Sequence, residues 1–194
     1  MTERNRKSIG PEDSRIISGG LLHMLSLGIL IVGDSGVGKS ETALELIMRG
    51  HHFISDDVTQ VFKESGQVMG RAPELSRDFM EIRGMGIINI RHIFGADALL
   101  EKTAVDLVIE LKKWEEGREY DRLGLKYYGE HTVLDEKIPQ MSMPVAPGRN
   151  MATLIEVACK VHLLREQGYH APEEIIKTLN RVLTTGALPT DREK

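Results

Sequence analysis

Residues Gly33-Asp34-Ser35-Gly36-Val37-Gly38-Lys39-Ser40 match the pattern G-x-x-x-x-G-K-[ST], the spacing of a phosphate-binding loop, or P-loop. Each residue type has a task in that chemistry. Gly36 and Gly38 let the backbone bend until successive N–H groups point inward at an anion. A helix opening near Lys39 adds the positive end of its dipole. The Lys39 ammonium reaches the terminal phosphates, and the Ser40 hydroxyl is placed to ligate Mg²⁺. The flanks fit: an apolar run, residues 28–32, precedes the loop, and residues 41–49 read as a helix after it.

Other groups could serve the same chemistry. Phe53-Ile54-Ser55 reads as a short strand ending in Asp56 and Asp57. In α/β sheets ligands bind beyond the carboxyl ends of parallel strands. These acids therefore fall near the phosphates if their strand neighbours the P-loop strand. Adjacent carboxylates raise one another's pKa, which favours proton uptake near neutral pH; a solvated Asp-Asp turn is the alternative. In residues 79–90, Glu81 and Arg83 alternate with apolar neighbours, so on a strand both face one side. The carboxylate could hold Mg²⁺ and the arginine clamp a phosphate, or the two could form a cross-strand ion pair. Arg122, in Tyr120-Asp121-Arg122-Leu123-Gly124, and Arg149, in the rigid loop 144–150, are further cations.

These groups need a sheet and helices to hold them. The pattern predicts a mixed α/β fold: a P-loop-containing sheet flanked by helices, with helices at the C-terminal end. A first strand is expected across Ile16-Ile17 to Leu21-Leu22, then a turn near Ser26. Basic residues and glycine at Arg49-Gly50-His51-His52 suit a helix end. Residues 58–69 carry a hairpin signal around Ser65-Gly66, and residues 107–111, 132–134 and 138–143 read as strands. Residues 151–166 have helical spacing and stop at Gly168. A last helix starts at Ala171-Pro172-Glu173-Glu174. Its apolar stripe, Ile175, Ile176, Leu179, Val182 and Leu183, is expected to pack in the core, with a partner surface as the second reading.

The chain of 194 residues suits one domain, read as a polar leader over 1–15, a catalytic domain over 16–188 and a tail over 189–194. A net charge of −4 points to neither nucleic acid nor an anionic membrane. No apolar run approaches the ~18 residues of a membrane span, and residues 1–7 lack the apolar core of a secretory signal. A cytoplasmic location is expected. The single cysteine, Cys159, lies in an apolar helical stretch and reads as packing.

Together these blocks resemble the catalytic domain of the HPr kinase/phosphorylase family, from about Ile16 to the last helix. The carriers are residues 33–51, the Asp56-Asp57 pair, Met80-Glu81-Ile82-Arg83-Gly84-Met85-Gly86-Ile87-Ile88-Asn89-Ile90, the Arg122 segment and the Arg149 loop. The resemblance implies a P-loop that binds ATP or pyrophosphate, with Lys39 on the phosphates and Ser40 and Glu81 at the Mg²⁺-associated positions. It implies that Asp57 takes the proton from a serine of the phosphocarrier protein HPr. In the reverse direction Asp57 gives a proton back while inorganic phosphate attacks phosphoserine and pyrophosphate leaves. Arg122 matches an arginine important to catalysis, residues 80–89 a region needed in both directions, and residues 145–150 a loop tied to dephosphorylation. A hexamer is implied, with the last helix near HPr, and with it a regulatory role in carbon metabolism.

Two departures stand out. Counting back from Gly33 without gaps, Ser18-Gly19 takes the place of the family's usual His-Gly pair. Serine has no imidazolium charge to offer a phosphate, so the balance of directions is open; His23 is a candidate to compensate. The additional N-terminal domain of many members has no counterpart in this sequence, which reads as a short form or an excised domain, with Met1 favouring the former. A kinase of another acceptor and a non-catalytic nucleotide sensor are the alternative functions.

Overall fold

A computed structural model describes residues 14–117, 120–121, 124 and 128–185. The expected leader (but for its last two residues), Arg122 and the expected tail lie outside the described residues.

The order is β1 (Ser14–Ser18), β2 (Gly20–Met24), β3 (Leu27–Gly33), α1 (Lys39–Met48), β4 (His52–Ser55), β5 (Val58–Glu64) and β6 (Gln67–Arg71). Then come β7 (Phe79–Ile82), β8 (Gly86–Asn89), α2 (Ile90–Phe94), β9 (Lys102–Ala104) and β10 (Leu107–Lys113). The chain ends in β11 (Gly129–Val133), β12 (Glu136–Val145), α3 (Met151–Glu166) and α4 (Ala171–Thr185). Six strands form one sheet in the order β11-β12-β10-β3-β2-β4, four form a second in the order β1-β5-β6-β9, and β7-β8 is a separate hairpin.

The main sheet is apolar on both faces. Leu22, Ile29, Ile31, Ile109 and Leu111 share a buried cluster with Ala43 and Leu46 of α1 and Ile155 and Cys159 of α3. Leu21, Leu30, Val32 and Val108 join Val61 and Val68 of the second sheet in another. The layers are therefore helices, six-stranded sheet, four-stranded sheet. The second interface is tight: a Cβ on Gly28 would come within 1.6 Å of the Ala104 carbonyl oxygen.

Strand direction assembles the site. β10 runs parallel to β3, and β12 parallel to β10. β2 is antiparallel to both β3 and β4, so β4 also points the way of β3. The loops after β3, β4, β10 and β12 therefore leave one end of the sheet.

Three expectations change. The stretch 16–22 is two strands in different sheets, because the chain crosses between layers at Gly19. That residue's N–H donates to the Asp57 carbonyl at 2.8 Å, and a Cβ there would stand 2.8 Å from the Ile31 carbonyl oxygen. β4 does not neighbour the P-loop strand; β2 is inserted between them. The stripe on α4 is not core: Ile175, Leu179 and Leu183 are 63%, 54% and 74% exposed. Cys159 is fully buried, as expected.

Candidate active site at the carboxyl ends of the strands

The P-loop leaves β3 and enters α1 through Gly36 and Gly38, at φ +76° and +100°, values that favour glycine. Asp34, Ser35 and Gly36 are exposed, whereas Val37 and Lys39 are buried. Lys39 Nζ donates to the Gly33 and Asp34 carbonyls at 3.0 and 3.2 Å. Its charge thus lies inside the loop it would share with an anion. The N-terminus of α1 has no side-chain cap. By contrast, Asn89 caps α2 and Asn150 caps α3. The first amides of α1 keep the open donors that an anion can take.

The acid pair divides. Asp56 is buried and Asp57 exposed. Asp57 adopts φ +55°, a left-handed conformation that aspartate tolerates; the turn directs the two carboxylates apart. Asp56 Oδ1 accepts the Ser40 hydroxyl at 3.1 Å, and Oδ2 accepts the Glu81 N–H at 3.3 Å. Burial, then the charge of Asp57, push the Asp56 carboxyl up to about 6, against the pull of its hydrogen bonds. The expected mutual repulsion is present but second to desolvation.

Asp56 thereby ties the first turn of α1 to β7. Glu81 itself is exposed on β7, directly opposite Ile87. Arg83 does not continue that face, because the chain turns at Gly84, φ +88°, and Arg83 sits in the turn. Its guanidinium lies over the P-loop instead: a Cβ on Gly36 would be 2.8 Å from Arg83 Nη1. Glu81 and Arg83 form no ion pair with each other.

Ser18 is exposed at the end of β1, paired with Val58, so the crossover at Gly19 sets it beside Asp57. His23 does not stand in for an imidazole there. It pairs with Gly28, ~10 Å along the sheet from Gly20 at ~3.3 Å per residue. It is half-buried, and burial, then His52, lower its pKa. Arg149 is exposed on the loop after β12, its Nη1 donating to the Pro144 carbonyl at 2.7 Å.

Sequence reasoning missed the hydroxyls that hold the crossover. Buried Ser55 and Thr59 share a 2.7 Å hydrogen bond, and Thr59 Oγ1 donates to the Gly19 carbonyl at 2.8 Å. Only their position either side of the acid pair could have suggested it.

The donors suit Mg²⁺. Among the described residues no three His, Cys, Asp or Glu side chains form a metal cage. A hydroxyl, Ser40, hydrogen-bonded to a buried carboxylate beside Glu81 is the sparse oxygen set Mg²⁺ takes when phosphates and water complete its shell.

Residues 12–179 match a family model described as HPr Serine kinase C-terminal domain. The chain belongs to this family. A protein named HPr kinase/phosphorylase from Geobacter sulfurreducens is 46% identical over 164 residues, 84% of this chain and 51% of that protein. The protein of the same name from Bacillus subtilis is 43% identical over 173 residues, 88% of this chain and 55% of that one. The chain thus spans about half the length of the curated relatives it matches. A solved structure of the Hpr(Ser) kinase/phosphatase from Coxiella burnetii aligns with TM-score 0.75 at 33% identity, covering 83% of this chain and 98% of that one.

Proposed function

We propose that this protein transfers phosphate from ATP or pyrophosphate to a serine of HPr, and that it runs the reverse phosphorolysis of phosphoserine-HPr by inorganic phosphate to pyrophosphate. The carrying observation is the link from Ser40 to Asp56 to the Glu81 backbone, which gathers a hydroxyl, a buried acid and an exposed acid around an open helix N-terminus.

Phosphoryl transfer needs positioning and charge neutralisation more than covalent chemistry. Residues 33–40 cradle the phosphates. Lys39 exchanges the Gly33 and Asp34 carbonyls for phosphate oxygens, and Arg83 is at hand over Gly36. Ser40 and Glu81, with Asp56 behind them, hold Mg²⁺, which when bound neutralises phosphate charge. Asp57, exposed, accepts the proton of the serine hydroxyl in the forward direction and returns it in the reverse. Arg122 offsets charge on the transferring group. Ser18 beside Asp57 offers a hydroxyl where a cation would otherwise help a phosphate, which favours the forward direction. On this reading the protein works in the cytoplasm as a homo-oligomer, a hexamer, and the open stripe on α4 meets another protein chain. No described helix is long and apolar enough to cross a membrane.

The test is one assay in two directions. With HPr, ATP and Mg²⁺, mass spectrometry should show a single phosphoserine. With phosphoserine-HPr and inorganic phosphate, pyrophosphate should appear, more slowly. ATP binding without phosphorylation of HPr would direct the chemistry to another acceptor or to none.

A further inference from the structure

The loops after β3 and β12 are joined well behind their tips. Arg49, the residue that closes α1, sends Nη1 to Glu156 Oε2 at 2.6 Å. Its Nη2 reaches Glu45 Oε1 at 2.6 Å, Thr153 Oγ1 at 3.0 Å and Asn150 Oδ1 at 3.2 Å. Asn150 Nδ2 donates to the same Glu45 oxygen at 2.6 Å, and His51 Nε2 lies 2.8 Å from Glu156 Oε1. One guanidinium thus grips the C-terminal half of α1 and the first turns of α3.

Asn150 has two other duties. It caps α3 by accepting the Thr153 N–H at 2.7 Å, and it ends the turn in which the Arg149 N–H donates to the Ala146 carbonyl at 3.2 Å. That turn leaves the same end of the sheet as the P-loop. A shift of Asn150 along α1 would carry the Arg149 loop with it.

Stability alone is a weak reason for the cluster. Side-chain exposures of 29% for Arg49, 40% for Glu45 and 24% for Glu156 describe surface ion pairs, worth about 0–1 kcal/mol each. What a planar five-donor group adds is fixed geometry. The Glu45 carboxyl is held below its usual range by Asn150 and then Arg49, and that of Glu156 by His51 and then Arg49 against burial; both stay ionised across the neutral range.

We propose that Arg49 is a positioning residue for phosphoryl transfer: its bridge from α1 to Asn150 sets the Arg149 loop at a fixed height beside the P-loop, so that both close on the phosphates as one unit. This rests on the phosphoryl-transfer reading. Misplacing a catalytic loop by 1 Å can reduce rate about a hundredfold, and lysine cannot span Glu156, Glu45 and Asn150 together.

The experiment compares the whole chain with Arg49→Met, Arg49→Lys and, as a milder change, Glu45→Ala. It measures melting temperature, pyrophosphate affinity by calorimetry, and kcat for HPr phosphorylation. Both Arg49 variants should melt within about 3 °C of wild type. They should bind pyrophosphate within about threefold and lose about tenfold in kcat, with Glu45→Ala losing about threefold. Lysine should keep the melting temperature in that range without restoring rate. No transfer by wild type would overturn the underlying reading and this proposal with it. Transfer by wild type, with Arg49→Lys within about twofold in kcat, would overturn the proposal alone; so would rate and melting temperature falling together in both variants.

Discussion

Ser40 Oγ donates to Asp56 Oδ1 across 3.1 Å, joining the last residue of the P-loop to the buried member of the acid pair. The same carboxylate receives the Glu81 N–H. Three segments separate in sequence therefore meet on one side chain, and that side chain is not the one available to a substrate. Asp57 next to it is. The division explains how two adjacent aspartates can have different work.

The buried acid gives a pH signature. In metal-free protein the Asp56 carboxyl titrates at about 6, against an ordinary value of 3.8. Its folded pKa is raised, so the native state holds the proton longer than the unfolded chain and stability falls as pH rises between about 4 and about 6. Asp56→Asn removes that slope. Chemical denaturation at pH 7.5 without divalent cations should find the variant more stable by about 1–3 kcal/mol; an unchanged or lower value would remove the buried-carboxylate argument.

Gly28 tests the packing of the two sheets. A Cβ there collides with the Ala104 backbone, and backbone cannot move aside as a flexible side chain can. Gly28→Ala should destabilise by about 3 kcal/mol or more. Gly84→Ala, where a Cβ meets no atom within 4 Å but φ is +88°, should lose only about 1–2 kcal/mol.

Cys159 should be inert. It is fully buried in α3, 3.4 Å from the Met24 sulfur, and burial, then Glu156, push its thiol up to about 12. Thiolate is the reactive form, so a disulfide reagent at pH 8 should label the native protein only as fast as it unfolds. Rapid labelling in native buffer would contradict the packing of α3 on the sheet.

The exposed stripe on α4 separates folding from association. Leu179→Lys changes a side chain that is 54% exposed, so the melting temperature at low protein concentration should move by less than about 2 °C. Mass measured by light scattering at high concentration should fall. A large loss of thermal stability with unchanged mass would return α4 to the core of its own chain.

Much of this was readable beforehand where local chemistry decides local structure. α3 spans Met151–Glu166 and gives way to Gly168 at positive φ, and the β5–β6 hairpin turns at Ser65-Gly66, both at positive φ. The P-loop was legible because glycine and lysine spacing is itself the site. The rest depended on contacts between distant residues. Nothing near Gly19 signals a change of sheet; the reason is the Ile31 carbonyl and Asp57. The alternation of Glu81 with Arg83 mimicked one strand face because the pattern runs through the turn at Gly84. Helical spacing predicted α4, but spacing does not say whether an apolar face is covered by its own chain or another's. The Arg49 cluster joins residues 101 and 107 positions apart, beyond any local signal.

The central claim is that Asp57 serves as proton acceptor for a serine brought to a P-loop that Asp56 and Glu81 help to build. The most direct measurement is single-turnover transfer from labelled ATP to HPr by wild type and Asp57→Asn, with ATP affinity determined on the same samples. The account predicts transfer by wild type, a loss of at least about a hundredfold in the variant, and unchanged ATP binding. Loss of ATP binding in the variant, or transfer at the wild-type rate, would contradict it.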